Sequence, residues 1–207
     1  CNTAAAVALR TLQQNWLEGA YPGNRILGVL VPTVETITGV PWSGKLQQQD
    51  IRRKPQKIAV FATRKTVESN AYHEEIYKRA PHITLYPKAC PGLVDAIEGG
   101  AGTLPIKGLV KGYVDELLSE QSSIDAALLG CTHFPLVKTY FEEALGKNIK
   151  LFSQPNVVAS SLVNYLKRHP QFAKPGTGKI KLLTTGNATN LMAFGTYSFD
   201  QSIELTD

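Results

Sequence analysis

Apolar residues along this 207-residue chain fall into short blocks, and the spacing within the blocks is of two kinds. Short apolar runs stand at Ile26 to Val31, Ile58 to Thr63, Ile83 to Tyr86, Ala126 to Leu129, Ile149 to Phe152 and Ile180 to Leu183. Each predicts a buried strand. Between them the spacing is helical. Residues 4 to 18 are rich in alanine and leucine, with Thr3 placed as N-cap. Val67 to Arg79 and Leu93 to Glu98 predict two further helices, and Val110, Tyr113, Val114, Leu117 and Leu118 recur on one helical face. Pro135 suits the first turn of a helix after the strand at 126–129. Ser153 caps a last helix marked by Val158, Leu162, Tyr165 and Leu166. Strands that alternate with helices predict an α/β fold built of βαβ units with largely parallel sheets. The stretch Pro41 to Gln56, polar and proline-bearing, reads as a linker between domains.

In parallel sheets, ligands bind beyond the carboxyl ends of strands. Thr63 and Cys131 fall at such ends. Cys131 and Cys1 each head a predicted helix, where the positive end of the dipole and free N–H groups lower a thiol's pKa. Two such thiols on separate βα units suit the removal of a proton from one face of a carbon and the return of one to the other. His133, two residues past Cys131, can assist proton transfer or hold the thiolate. Asn2, Thr3 and Thr132 offer hydrogen-bond donors beside the thiols, which suits a carboxylate-bearing substrate. Cys90, in Lys88-Ala89-Cys90-Pro91, has no acid or base beside it and reads as structural; His73, His82 and His169 read as surface residues. No cysteine–histidine spacing fits a metal site, so no metal is expected.

Cys1-Asn2-Thr3-Ala4 and Gly130-Cys131-Thr132-His133-Phe134-Pro135-Leu136 resemble the two signature segments of the glutamate racemases, in the cofactor-independent aspartate/glutamate racemase superfamily. Gly28-Val29-Leu30-Val31-Pro32, Ile58 to Thr63, Thr66-Val67-Glu68-Ser69 and Ala89-Cys90-Pro91 follow in the family's order, and the likeness runs over roughly residues 1 to 165. The resemblance implies two similar parallel-sheet domains with the active site in the cleft between them. Residues 1–55 and 148–207 would belong to the first domain and 56–147 to a second, inserted one. It implies Cys1 and Cys131 as the two catalytic bases, Cys1 acting on D-glutamate and Cys131 on L-glutamate, with His133 assisting. Thr63 and Thr66 match substrate-contacting positions, and Glu98 matches a carboxylate near the site. No cofactor, a cytoplasmic setting, a role in supplying D-glutamate for peptidoglycan and a homodimer all follow from the resemblance alone. Two departures stand out. Arg64-Lys65 occupies a loop where relatives often carry glycine before the second threonine, and Ser153-Gln154-Pro155 lies where they usually have an acidic residue. The family also carries three more βα units, with an Asp-Ser-Gly segment, ahead of the first cysteine. This chain opens on Cys1 and its sole methionine is Met192, so it is expected to be a piece of a longer enzyme.

Composition adds limits. A hydrophobic content of 43% and a charged content of 19% are those of an ordinary globular enzyme. Three cysteines are too few for a disulfide framework. The net charge of +5 is densest at Arg52-Arg53-Lys54, with no interleaved aromatic residues, so neither nucleic acid nor membrane is an expected partner. Gly176-Thr177-Gly178-Lys179 lacks the spacing of a phosphate loop, and Asn187-Ala188-Thr189 is a glycosylation sequon without meaning unless the chain is exported. Other readings of the residues remain: a hydrolase with Cys1 as an N-terminal nucleophile, an aspartate racemase, a one-thiol decarboxylase, or a binding domain that keeps the fold.

Overall fold

A computed structural model describes residues 1–42 and 54–173. The strand expected at 180–183, the turn at 176–178, the sequon and most of the linker lie outside the described residues. Helix α1 (Asn2–Val7) opens the chain, with Cys1 rather than Thr3 as its N-cap. Helical backbone continues through Leu9–Thr11, a π-helical stretch Leu12–Leu17, and Glu18–Ala20. The predicted strand at 26–31 does not form: residues 26–29 are irregular and helix α2 runs from Leu30 to Thr38. A short apolar run fits either element, and the helical spacing of Leu30, Val34 and Ile37, all buried in one cluster, prevails here. Gly39, at φ 68°, ends α2 in the left-handed conformation that favours glycine.

The remaining strands form as expected, with small shifts at their ends. They are β1 (Gln56–Ala62), β2 (Ile83–Ala89), β3 (Ala126–Leu129) and β4 (Lys150–Phe152). They make one four-stranded sheet in the order β2-β1-β3-β4, with every pair parallel. β4 lies past residue 147, where the sequence suggests a domain boundary, and pairs with β3 in this same sheet. The helix predicted over 67–79 is two, α3 (Arg64–Glu68) and α4 (Ala71–Tyr77), parted at Asn70 with φ 57°. Asparagine accepts that conformation more readily than most residues. Then come α5 (Leu93–Glu98), α6 (Thr103–Glu120), a 3₁₀ turn at Phe134–Val137 running into α7 (Lys138–Leu145), and α8 (Gln154–Arg168).

Alternation along the strands sends side chains to two cores. Ala59, Phe61, Ala127 and Leu129 face α6 and α7 and pack with Val110, Val114, Leu117, Phe134 and Phe141. Ile58, Val60, Ala62, Ala126 and Leu128 face the other way, toward α2 and α4, and meet Val34, Tyr72 and Ile76. The α/β class with parallel βαβ units, expected from the sequence, is the fold the chain adopts; among the described residues those units build one sheet.

The order of strands fixes where a ligand can bind. From β1 the chain passes through α3 and α4 on one face to β2. From β3 it passes through α7 on the opposite face to β4. Chains that leave neighbouring strands in opposite directions open a crevice beyond their carboxyl ends. That crevice lies past Ala62 and Leu129. Phe61, fully buried with its ring 5.1 Å from that of Phe141, supports the floor beneath it. Phe61→Ala should destabilise the fold by about 3–5 kcal/mol, the usual cost of deleting a buried phenylalanine side chain. Urea unfolding followed by circular dichroism would measure the loss.

Candidate active site

Thr63 follows β1 and Cys131 follows β3, so the two strand ends place them at the same crevice. The approach between the strands is close. Gly130 donates its N–H to the carbonyl of Phe61 at 2.8 Å. A Cβ at position 130 would stand 3.2 Å from both that carbonyl oxygen and Val60 Cγ1. Glycine therefore lets β3 stay against β1 up to the point where Cys131 begins its turn.

Cys131 is buried, and its Sγ lies 3.9 Å from His133 Nδ1. The other ring nitrogen of His133, Nε2, sits 2.7 Å from Glu98 Oε1 at the end of α5. A proton held on Nε2 toward the carboxylate makes Nδ1 the acceptor for the thiol, so thiol, imidazole and carboxylate stand in a line along which a proton can pass. The sequence predicts a depressed thiol pKa, and the structure corrects this for Cys131. Burial is the largest influence and pushes the thiol up. The backbone N–H groups of His133 and Phe134 oppose it, and the Glu98 charge adds to the rise. Cys131 also heads a turn into a 3₁₀ segment, not an α-helix, so the helix-end field expected there is weak. Cys131 is therefore a thiol that needs a partner base to ionise, and His133 stands beside it.

The second thiol, Cys1, is exposed at the start of α1. Thr3, one turn edge away, points its hydroxyl at two others: Thr3 Oγ1 lies 2.8 Å from Thr63 Oγ1 and 3.0 Å from Thr66 Oγ1. Thr63 and Thr66 are themselves 3.0 Å apart, and Thr63 caps α3 by accepting from the Thr66 N–H. Three mutually bonded hydroxyls thus tie the first helix to the end of β1. Thr132, beside Cys131, is exposed.

Asn2 goes elsewhere. Only 2% of its surface is exposed, and both its side-chain polar atoms are engaged inside the protein, with Gln154 and Tyr72. The structure thus brings Cys131, His133 and Glu98 into one cluster and Thr3, Thr63 and Thr66 into another, and turns the Asn2 side chain into the interior. Gln154 and Tyr72 escape a reading of the sequence as site residues. The only signal was that Ser153-Gln154-Pro155 departs from the usual acidic residue. Cys90 is buried, with its thiol pushed up to about 12 chiefly by burial, which suits a structural role. His73 is exposed, whereas His82 and His169 are half-buried, His169 stacking on Tyr165 with centroids 4.1 Å apart. Among the described residues no three histidine, cysteine or acidic side chains gather as metal ligands, and no helix is long and apolar enough to cross a membrane.

No protein-family model matches the chain. The chain is 40% identical over 206 residues to the glutamate racemase of Roseobacter denitrificans, covering 100% of this chain and 74% of that protein. In fold it resembles the crystal structure of a glutamate racemase isoform from Bacillus anthracis, with a TM-score of 0.80 and 25% identity, over 100% of this chain and 71% of that one. A glutamate racemase from Francisella tularensis, crystallised with D-glutamate, shares the fold with a TM-score of 0.77 and 21% identity, over 100% of this chain and 71% of that one. The relationship in sequence extends through both cysteine segments, and the chain belongs to the glutamate racemase family.

Proposed function

We propose that this chain carries the two-thiol site of an isomerase that interconverts L- and D-glutamate, and that Cys131, His133 and Glu98 form one half of its proton-transfer machinery. The observation that carries this reading is the line Cys131 Sγ, His133 Nδ1, His133 Nε2, Glu98 Oε1, with steps of 3.9 and 2.7 Å, at a crevice whose neighbouring strand end holds the threonine cluster.

The chemistry asks for two things. The Cα proton of an amino acid is far less acidic than a thiol, so the developing carbanion needs fixed hydrogen bonds in a site that excludes water. It also needs a base on one face and an acid on the other. In the L-to-D direction the Cys131 thiol first gives its proton to His133. The resulting imidazolium is stabilised by the Glu98 carboxylate. The thiolate then takes the Cα proton, forming an S–H bond as the C–H bond breaks, and the electron pair passes into the substrate carboxylate. Cys1, as a thiol, delivers its proton to the opposite face and is left as thiolate. The reverse direction exchanges the roles. Thr3, Thr63 and Thr66 supply hydroxyls for the substrate's polar groups, and Thr132 lies beside Cys131 for the same purpose. Asn2 contributes through its main chain, since its side chain is buried. The D-glutamate complex of the Francisella tularensis relative supports an amino-acid ligand of this size. We extend the reading to a cytoplasmic enzyme, working as a homodimer, whose product enters peptidoglycan. The four-stranded sheet, β4 included, belongs to one α/β domain, and the site lies against a second.

Two predictions follow from this mechanism, both for the full-length protein. Cys1→Ser and Cys131→Ser should each lower racemisation by about 10²–10⁴-fold, the range for loss of a positioned acid or base. Optical rotation of glutamate in deuterated water, with Cα–H exchange read by NMR, would measure it; full activity with both serines in place rules out the two-base mechanism. Glu98→Gln should move two observables in opposite directions. Racemisation should fall, because His133 loses the charge that steadies its cation. Iodoacetamide alkylation of Cys131 at fixed pH should become faster, because removing a nearby negative charge lowers the thiol's raised pKa. Burial keeps most of that rise, so alkylation of Cys131 should still climb with pH beyond the ordinary thiol range in both proteins.

A further inference from the structure

The side chains of Asn2 and Gln154 pair face to face. Asn2 Nδ2 donates to Gln154 Oε1 at 2.6 Å, and Gln154 Nε2 donates back to Asn2 Oδ1 at 3.0 Å. Tyr72 adds a third bond, its hydroxyl donating to Asn2 Oδ1 at 2.6 Å. Gln154 Nε2 also reaches Thr33 Oγ1 at 2.8 Å and the Tyr72 oxygen at 2.9 Å. Thr33 is turned to receive it, since its own proton goes to the Val29 carbonyl at 2.7 Å. All four residues are buried, and they come from four helices: α1, α2, α4 and α8. Burial raises the Tyr72 hydroxyl well above its ordinary range, so it remains a donor.

A cluster like this is a costly way to fill space, because each polar group must be desolvated and apolar side chains would pack there without that cost. What a satisfied polar cluster provides is a single geometry. Its place in the chain shows which geometry is held. Residue 2 is pinned inward by two amide–amide bonds and a phenol, while residue 3 is pinned toward β1 by the two threonines. Cys1 precedes both and makes no side-chain capping bond of its own. Its carbonyl accepts from the Ala5 N–H at 3.1 Å, and the anchoring of the next two residues helps set where its thiol stands.

We infer that Gln154 and Tyr72 are positioning residues for Cys1, acting through Asn2 to hold the start of α1 at the distance the second proton transfer requires. The kinetic half of this inference rests on the racemase reading; the structural half does not. Acid–base catalysis is steep in distance, and a displacement of about 1 Å costs on the order of 10²-fold in rate. The Gln154 and Tyr72 side chains are buried and bonded within the cluster, so their loss acts through the start of α1 and falls chiefly on turnover.

The test compares the full-length parent with Gln154→Leu, which removes every amide bond at similar size, and Tyr72→Phe, which removes one hydroxyl. Steady-state kinetics and amide hydrogen exchange are read on each. Gln154→Leu is expected to lower kcat by about 10²-fold with KM little changed. Amides of residues 5 to 8 should exchange at least about tenfold faster while those of β1 and β3 keep their protection. Tyr72→Phe should show the same split at smaller size. A folded Gln154→Leu protein with the parent's kcat overturns the inference, as does unchanged exchange in α1. If Gln154→Leu does not fold, Tyr72→Phe decides: the parent's kcat and α1 protection in that variant overturn it equally. If the parent itself does not racemise glutamate, the functional reading fails, and exchange in α1 still decides whether Gln154 and Tyr72 anchor the helix.

Discussion

The hydrogen bond from the Gly130 N–H to the Phe61 carbonyl, 2.8 Å long, is the join on which the site depends. It is the last contact of β3 with β1, and it is reached only because residue 130 has no side chain to hold the strands apart. Beyond it the two chains part, β1 into α3 on one face of the sheet and β3 into the Cys131 turn on the other. The threonines are then delivered from one side and the thiol–imidazole–carboxylate line from the other. Neither group of residues could be brought to the crevice by local sequence alone, because Glu98 and His133 are joined across two elements, as are Thr3 and Thr63.

The electrostatics of the site divide the work between its two thiols. Cys131 lies in the interior, where burial opposes its charge, and an imidazole and a carboxylate stand in line beside it. Cys1 lies exposed, and among the described residues no such line stands behind it. The two substrates are mirror images of equal free energy, so kcat/KM must match in the two directions while kcat and KM individually need not. The site therefore needs no symmetry of residues, only that each thiol be able to hold and release a proton. An unsymmetrical pair, one thiol buried beside an imidazole and one exposed at a helix start, satisfies that requirement.

The parts of this that could be read from sequence are those with a short-range signature. The strands at 58–63 and 126–129 are evident because four or more apolar residues in a row between polar turns leave few alternatives, and at 149–152 three of the four positions are apolar. The pairing of Cys131 with His133 is evident because they stand two positions apart. The run at 26–31 misled because its apolar residues also belong to the helical series that continues through Val34 and Ile37. The pKa of Cys131 was misjudged for a physical reason: a helix N-terminus was expected to supply a field, whereas a 3₁₀ turn and a buried position leave desolvation dominant. The contact of Glu98 with His133 could be placed near the site only by family likeness, and its partner atom only by the fold.

The Asn2 side chain illustrates the limit most clearly. A polar residue beside a reactive cysteine reads as a substrate ligand, because sequence gives the neighbour and not the direction. Two partners from distant parts of the chain turn it inward with three hydrogen bonds, and the residue that makes two of them, Gln154, lies 152 positions away. Such a contact costs loop entropy to close and desolvation to bury, and a chain retains it only where one geometry is worth more than a looser, more apolar packing. Along this chain that is the first turn of α1, the segment that carries a reacting thiol on one residue and the link to the threonine cluster two residues later. The departure of Ser153-Gln154-Pro155 from an acidic pattern is then intelligible. A carboxylate at 154 could accept from Asn2 Nδ2 but could not donate back to Asn2 Oδ1 or to Thr33, and it would place an uncompensated charge among buried oxygens. An amide meets both demands, so glutamine at 154, asparagine at 2 and tyrosine at 72 form one choice and not three.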